Sequence, residues 1–164
     1  MLIAVFATVV SHPPGPAANP LVGEQAPAIS GADLLSGRVE RLGSLHGRYV
    51  LVSFFASWCA PCAGEAPQLA SFAFTDRKVA SVLGVVFDDS AGNAAGFLRR
   101  YGATWPAVAD PTSDIAVAYG VANPPQSFLV SPAGRVVAWL PGAVTAGAAE
   151  RELQKAESEG AGVG

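Results

Sequence analysis

Residues 48–67 read "RYVLVSFFASWCAPCAGEAP". The stretch from Arg48 to Ala56 is an unbroken apolar run rich in β-branched and aromatic residues, the pattern of a strand buried on both faces. It ends in a pair of cysteines two residues apart, followed by apolar positions at mostly helical spacing from Ala60 to Phe74, with Pro67 predicted to kink the helix. The Cys59–Cys62 pair is therefore predicted at the C-terminal end of a central strand, where a helix begins. Further along, residues 82–87 ("VLGVVF") predict a second buried strand, and residues 90–102 a helix running from a Ser90 cap to Gly102. Residues 113–121 add a short helix. Residues 126–131 and 135–140 form two strands around the turn Pro132-Ala133-Gly134, and residues 145–157 close the chain with an amphipathic helix. Alternating strands and helices followed by a hairpin give an α/β fold, a mixed sheet with helices on both faces.

Three chemistries use a C-x-x-C pair. A helix opening at Cys59 directs its unpaired N–H groups and positive dipole end at the first sulfur, favouring the thiolate that attacks disulfides. Two intervening residues let Cys62 reach Cys59 within the first turn and resolve a mixed disulfide. Pro61 suits that turn because its missing N–H has no helical partner there. Trp58 is expected to cover the site with an apolar face that positions partner peptides while leaving the Cys59 sulfur open on one side. The competing readings are a structural disulfide and half of a zinc site. So short a ring constrains the unfolded chain little, and zinc needs two further ligands, for which only His12 and His46 remain, far apart in sequence. A redox couple is the stronger reading.

The chain has 164 residues, 51% hydrophobic and 14% charged, with a formal net charge of -3. That describes one globular domain. No Lys/Arg cluster or basic stripe could follow a phosphate backbone, so nucleic acid is not an expected partner. Residues 1–10 are apolar but about half the length of a spanning helix, and no Lys/Arg precedes them. They read as a signal h-region, the remnant of a longer signal or anchor, or a buried strand. The "SHPPGPAANP" linker that follows favours export. The expected organisation is an apolar segment and linker over residues 1–19, a domain over 20–157 and a flexible tail over 158–164.

The segment "VGEQAPAISGADLLSGRVERLGSLHGRYVLVSFFASWCAPCAGEAPQL" resembles the entry region of the TlpA/ResA/DsbE-like thiol-disulfide oxidoreductases of the thioredoxin superfamily, with its G-x-x-A-P segment and extended W-C-x-P-C-x-x-E-x-P block. Residues 85–137 resemble the second half of that family, where Y-G-V precedes a cis-proline turn and the next strand. The resemblance spans about residues 21–157 and implies a thioredoxin-like fold without a cofactor or bound metal. It also implies that Cys59 is the nucleophile, Cys62 the resolving cysteine and Pro67 the helix kink. Pro125 matches the cis-proline beside which partner peptides pair. The family usually carries a small polar residue such as Thr before that proline. Here Pro124 takes its place, so either proline could follow the cis bond, a simple loop is the alternative, and a backbone donor is lost.

Glu65 matches the family's acidic residue one turn after the second cysteine. Its carboxylate is expected to disfavour a nearby thiolate and to exchange a proton with Cys62, the alternative being a charge that pairs with the helix N-terminus. Ser53 stands where cytoplasmic thioredoxins carry a buried Asp. His46-Gly47 reads as a turn, and Trp105-Pro106 as an aromatic wedge packed beside the site. The implied activity is extracytoplasmic thiol-disulfide exchange with protein thiols or disulfides, apocytochrome c among them, recharged by a membrane or soluble redox donor. The sequence leaves open whether the couple reduces or oxidises its partners. Two other functions compete with this reading. A thiolate copper carrier of the same fold usually shows C-x-x-x-C and a later His, and a thiol peroxidase shows Thr/Pro/Arg around its cysteine; this chain has neither pattern.

Overall fold

The computed structural model describes residues 19–45 and 47–161. The readings placed on residues 1–18, on His46 and on residues 162–164 of the expected tail lie outside them. At the centre stands strand β3 (Tyr49–Phe55), preceded by a small antiparallel ribbon, β1 (Ser30–Ala32) and β2 (Val39–Arg41), and by a 3-10 turn over Leu42–Leu45. Helix α1 (Ala60–Thr75) leads to β4 (Ala80–Val86), and α2 (Ala91–Arg100) to the two-residue β5 (Ala107–Val108). Helix α3 (Asp114–Tyr119) precedes the hairpin β6 (Gln126–Val130) and β7 (Val136–Pro141), and α4 (Ala146–Ala161) follows. The main sheet runs in the order β5-β4-β3-β6-β7. Strands β4 and β5 continue parallel to β3 on one side, and β6 and β7 pair antiparallel on the other.

Alternation along β3 divides the core in two. Val50, Val52 and Phe54 face Ile29, Leu42, Ala116 and Tyr119, on the side of α3 and the 3-10 turn. There the rings of Phe54, Tyr119 and Phe128 pack with centroids 5.1–5.9 Å apart, the tilted and edge-on geometry aromatic quadrupoles prefer. On the opposite face Leu51 meets Leu69, Phe72 and Leu153 of α1 and α4. Phe55 packs with Cys59, Cys62, Ala66, Phe97 and Leu98 of α1 and α2. The cysteines are thus part of the hydrophobic core beneath α1.

The expected α/β architecture is observed, with three differences. The short elements β1, β2 and β5 have no periodicity long enough to read, and they are held by tertiary contacts instead. Asp33, at the end of β1, accepts hydrogen bonds from the Ala107 N–H (2.9 Å) and from the Ser36 N–H and hydroxyl (2.9 and 2.6 Å), tying the ribbon to β5. Helix α4 continues to Ala161, beyond the expected limit at residue 157, although its apolar stripe ends at buried Ala156 and residues 157–160 are exposed, so no side-chain periodicity marks its last turn. Trp105 is a wedge, but it packs with Leu51, Leu69, Phe72 and Val82, not in the cluster that holds the cysteines.

Gly84 on β4 marks how closely β5 approaches. A Cβ there would lie 2.8 Å from the Ala107 Cβ and 3.0 Å from Phe55 Cε1. Gly84→Ala should destabilise the protein by about 1–3 kcal/mol through overpacking, read as a lower midpoint in urea. An unchanged midpoint would show that β5 yields freely.

Candidate active site

Strand β3 ends at Phe55, and the chain turns through Ala56, Ser57 and Trp58 into α1 with Cys59 as its N-cap. Cys59 and Cys62 form a disulfide with their Cα atoms 5.3 Å apart. The Cys59 sulfur also accepts the Cys62 N–H at 3.2 Å, so it takes up one of the orphan donors of the helix start. Pro61 sits in the first turn, where no N–H is needed. Pro67 lies inside α1, which runs unbroken through it, and the missing donor leaves the Ala63 carbonyl without its helical partner. The site is more closed than the sequence suggests, since Cys59, expected to be open on one side, is 5% exposed and Cys62 is 2% exposed.

The turn is clamped by residues that the sequence reading overlooked. Asp89, in the loop between β4 and α2, accepts the Ser57 N–H at 2.7 Å and the Ser90 N–H at 2.8 Å. Burial opposes its charge, but hydrogen bonds from Ser57, Ser90 and Asn93 outweigh that and hold its carboxyl below the ordinary range. Asp88, at a φ of 42°, lends its carbonyl to the Trp58 indole N–H at 3.0 Å. Trp58 is 59% exposed and yet fixed at its polar end. "FDDS" showed only the Ser90 cap in the sequence, because the clamp depends on a contact 32 residues away.

Glu65 departs most from the expected readings. It is not a charge at the helix start: it is 2% exposed, on the face of α1 shared by Cys62 three residues before it. One carboxyl oxygen accepts the Val144 N–H at 2.9 Å, and Gln68, a turn later, accepts the Ala146 N–H at 3.1 Å. Together they pin the start of α4 to α1. Burial pushes the Glu65 carboxyl up to about 7, against the smaller lowering effect of the Val144 hydrogen bond. On the sheet below, Ser53 and Ser127 are register partners in β3 and β6, and both are buried with unpartnered hydroxyls. Ser53 provides no carboxyl of its own, so Glu65 is the buried carboxyl on the cysteine-bearing side of α1.

The Pro124-Pro125 bond is cis, in the loop that enters β6. Phe54 pairs with Gln126, which places Pro125 level with Phe55 at the end of the sheet where the cysteines sit. Both prolines are buried, whereas Ala122 and Asn123 before them are exposed. The prolines expected to contact a partner thus have their own surface largely covered, and the exposed surface of the loop is at Ala122 and Asn123. Among the described residues no group of three or more His, Cys, Asp or Glu side chains is arranged to hold a metal ion.

Comparison with known proteins agrees with this arrangement. Residues 22–139 match the AhpC/TSA family. The chain is 33% identical over 135 residues to the thiol:disulfide interchange protein HelX of Rhodobacter capsulatus, covering 76% of this chain and 70% of that one. It is 32% identical over 125 residues to the thiol-disulfide oxidoreductase ResA of Geobacillus thermodenitrificans, covering 76% and 71%. A crystal structure described as a putative thiol:disulfide interchange protein DsbE from Chlorobium tepidum superposes with a TM-score of 0.74 at 29% identity, over 80% of this chain and 94% of that one. The protein belongs to the AhpC/TSA family and, within it, to the TlpA/ResA/DsbE-like thiol-disulfide oxidoreductases of thioredoxin fold. Its activity is thiol-disulfide exchange, with protein thiols or disulfides as the substrate class.

The buried carboxyl makes stability depend on pH with a definite sign. Its folded value of about 7 lies above the ordinary 4.5, so the folded protein binds more protons than the unfolded chain between those limits. Stability therefore falls as pH rises from about 4.5 through 7 and levels off above, by on the order of 3 kcal/mol at about 1.4 kcal/mol per pH unit. Denaturant titrations of the oxidised protein at pH 5 and pH 8 should show Glu65→Gln gaining relative to the parent by about that amount at the higher pH. Parallel pH profiles would mean that Glu65 titrates normally.

Proposed function

We propose that the protein works outside the cytoplasm as a reductant of protein disulfides, cycling Cys59 and Cys62 between dithiol and disulfide. The observation that carries this reading is the burial of Glu65 on α1 three residues after the buried resolving cysteine, a spacing that shares one helix face. Once ionised, a desolvated carboxylate opposes a neighbouring thiolate. That raises the free energy of the reduced form wherever the thiolate is populated, so the dithiol gives up its electrons more readily.

In the reductive half-cycle the Cys59 thiolate, favoured by the start of α1, attacks one sulfur of a partner disulfide. The other partner sulfur leaves as a thiolate. The Cys62 thiol then passes its proton to the Glu65 carboxylate, and its sulfur attacks Cys59 in the mixed disulfide. The partner's second thiolate departs, the Cys59–Cys62 bond forms, and two electrons have moved to the partner. A carboxyl with a pKa of about 7 is matched to this task near neutral pH. A membrane or soluble thiol donor must then reduce the disulfide again. The apolar stretch of residues 1–10 and the linker after it support placement outside the cytoplasm. The family resemblance supports apocytochrome c among the partners, a protein whose thiols must be kept reduced.

Cys62→Ser should trap a partner protein as a disulfide on Cys59, because attack proceeds and resolution does not, whereas Cys59→Ser should trap none. Non-reducing electrophoresis followed by mass spectrometry reads both. Equal trapping by the two variants would overturn the division of roles.

A further inference from the structure

The loop that enters β6, at the end of the sheet where α1 begins, lacks the free donors and acceptors of an open peptide edge. Pro124 and Pro125 have no N–H, so neither can donate to a partner backbone. Two nearby carbonyls are already engaged: Pro125 O accepts the Gly142 N–H at 3.1 Å, and Asn123 O accepts the Gln126 side-chain amide at 3.1 Å. Gln126 is in turn held by the Trp139 indole N–H, which donates to its side-chain oxygen at 3.0 Å. A relay from β7 through β6 thus fixes the backbone of Asn123. The Asn123 side chain is on an exposed residue, and its carboxamide takes part in no hydrogen bond among the described residues. The register that pairs Phe54 with Gln126 puts the loop carrying Asn123 at the same end of the sheet as the turn from β3 into α1, the turn that bears exposed Trp58.

We propose that the Asn123 carboxamide supplies the hydrogen-bond donor that the Pro124-Pro125 backbone lacks, docking the extended backbone of a partner peptide against Trp58, with Gln126 and Trp139 as positioning residues behind it. An amide offers a donor and an acceptor together, the pair a strand-like peptide backbone requires. The inference rests on the thiol-disulfide exchange described above and names the group that selects polypeptide partners over small disulfides.

Two substrates with the same leaving group separate docking from sulfur chemistry. One is 5,5'-dithiobis(2-nitrobenzoate). The other is an extended peptide whose single cysteine carries the same 2-nitro-5-thiobenzoate as a mixed disulfide. In each case the Cys59 thiolate attacks, 2-nitro-5-thiobenzoate leaves and is read by absorbance, and on the peptide Cys62 then resolves the mixed disulfide and releases the peptide thiol. Asn123→Ala should slow the peptide reaction about three- to tenfold, as expected for one lost hydrogen bond of ordinary strength, with the small-disulfide rate and the reduction potential unchanged. Asn123→Asp, which keeps the size and acceptors but loses the donor, should behave like Asn123→Ala or worse. Trp139→Phe should shift the same peptide-to-small-disulfide ratio in the same direction by less. An unchanged ratio in Asn123→Ala, or an Asn123→Asp variant as fast as the parent on the peptide, would overturn the proposal. Failure of the parent itself to react with either substrate would instead overturn the exchange activity.

Discussion

Strand β3 is the constraint on which the rest of the structure depends. Its residues from Val50 to Phe55 are buried, so every backbone donor and acceptor along it must be paired within the protein. Seven residues of parallel register with β4 and five of antiparallel register with β6 meet that demand. They also decide which loops gather at its C-terminal end. The turn through Ser57 and Trp58, the Asp88-Asp89 loop after β4 and the prolines before β6 converge there because their strands are aligned on β3. The start of a helix is the one place in this arrangement where a sulfur can take an orphan N–H, and Cys59 occupies it.

Packing and chemistry conflict at Glu65. A side chain on the inner face of α1, between Cys62 and Leu69, would serve stability best as an apolar residue. The carboxyl is retained there at the cost of desolvation, offset in part by a single backbone hydrogen bond from Val144. That bond and its neighbour at Gln68 make the carboxyl part of the α1–α4 joint, so the group proposed to take up the Cys62 proton also locates a helix. The buried hydroxyls of Ser53 and Ser127, register partners on the sheet, carry no charge and make no hydrogen bond to the carboxyl. Trp58 and Asp89 act on the disulfide's turn differently: Trp58 presents surface and Asp89 holds the Ser57 backbone, and the carboxyl beneath α1 is Glu65.

Much of this was legible in the sequence. The continuous apolar run of β3, the helical spacing after Cys62 and the hairpin around Gly134 each carry a period long enough to identify an element, and they were sufficient for the fold class. Cys59, Cys62, Trp58 and the paired prolines stand out as candidates because their chemistry is local in sequence. What escaped detection depended on distant contacts. Whether Glu65 is a surface charge or a buried acid turns on Val144, 79 residues later. The Asp89 clamp and the Trp139–Gln126 relay likewise use ordinary residue types whose role exists only once the strands are in register. The two- and three-residue strands β1, β2 and β5 are too short to show any alternation, and Trp105 could be recognised as a wedge but not assigned to one of two clusters on the same side of the sheet.

If the buried carboxylate sets the reducing character of the couple, its effect must appear only when it is ionised. The most direct measurement is the Cys59/Cys62 reduction potential of the parent and of Glu65→Gln at pH 6 and at pH 8. At pH 6, below the Glu65 value of about 7, the two should nearly coincide. At pH 8 the parent should be the more reducing, by about 30 mV for each unit by which the carboxylate raises the thiol pKa. Potentials that coincide at both pH values would show that Glu65 is a structural joint alone and would contradict the electrostatic origin of the proposed reducing role.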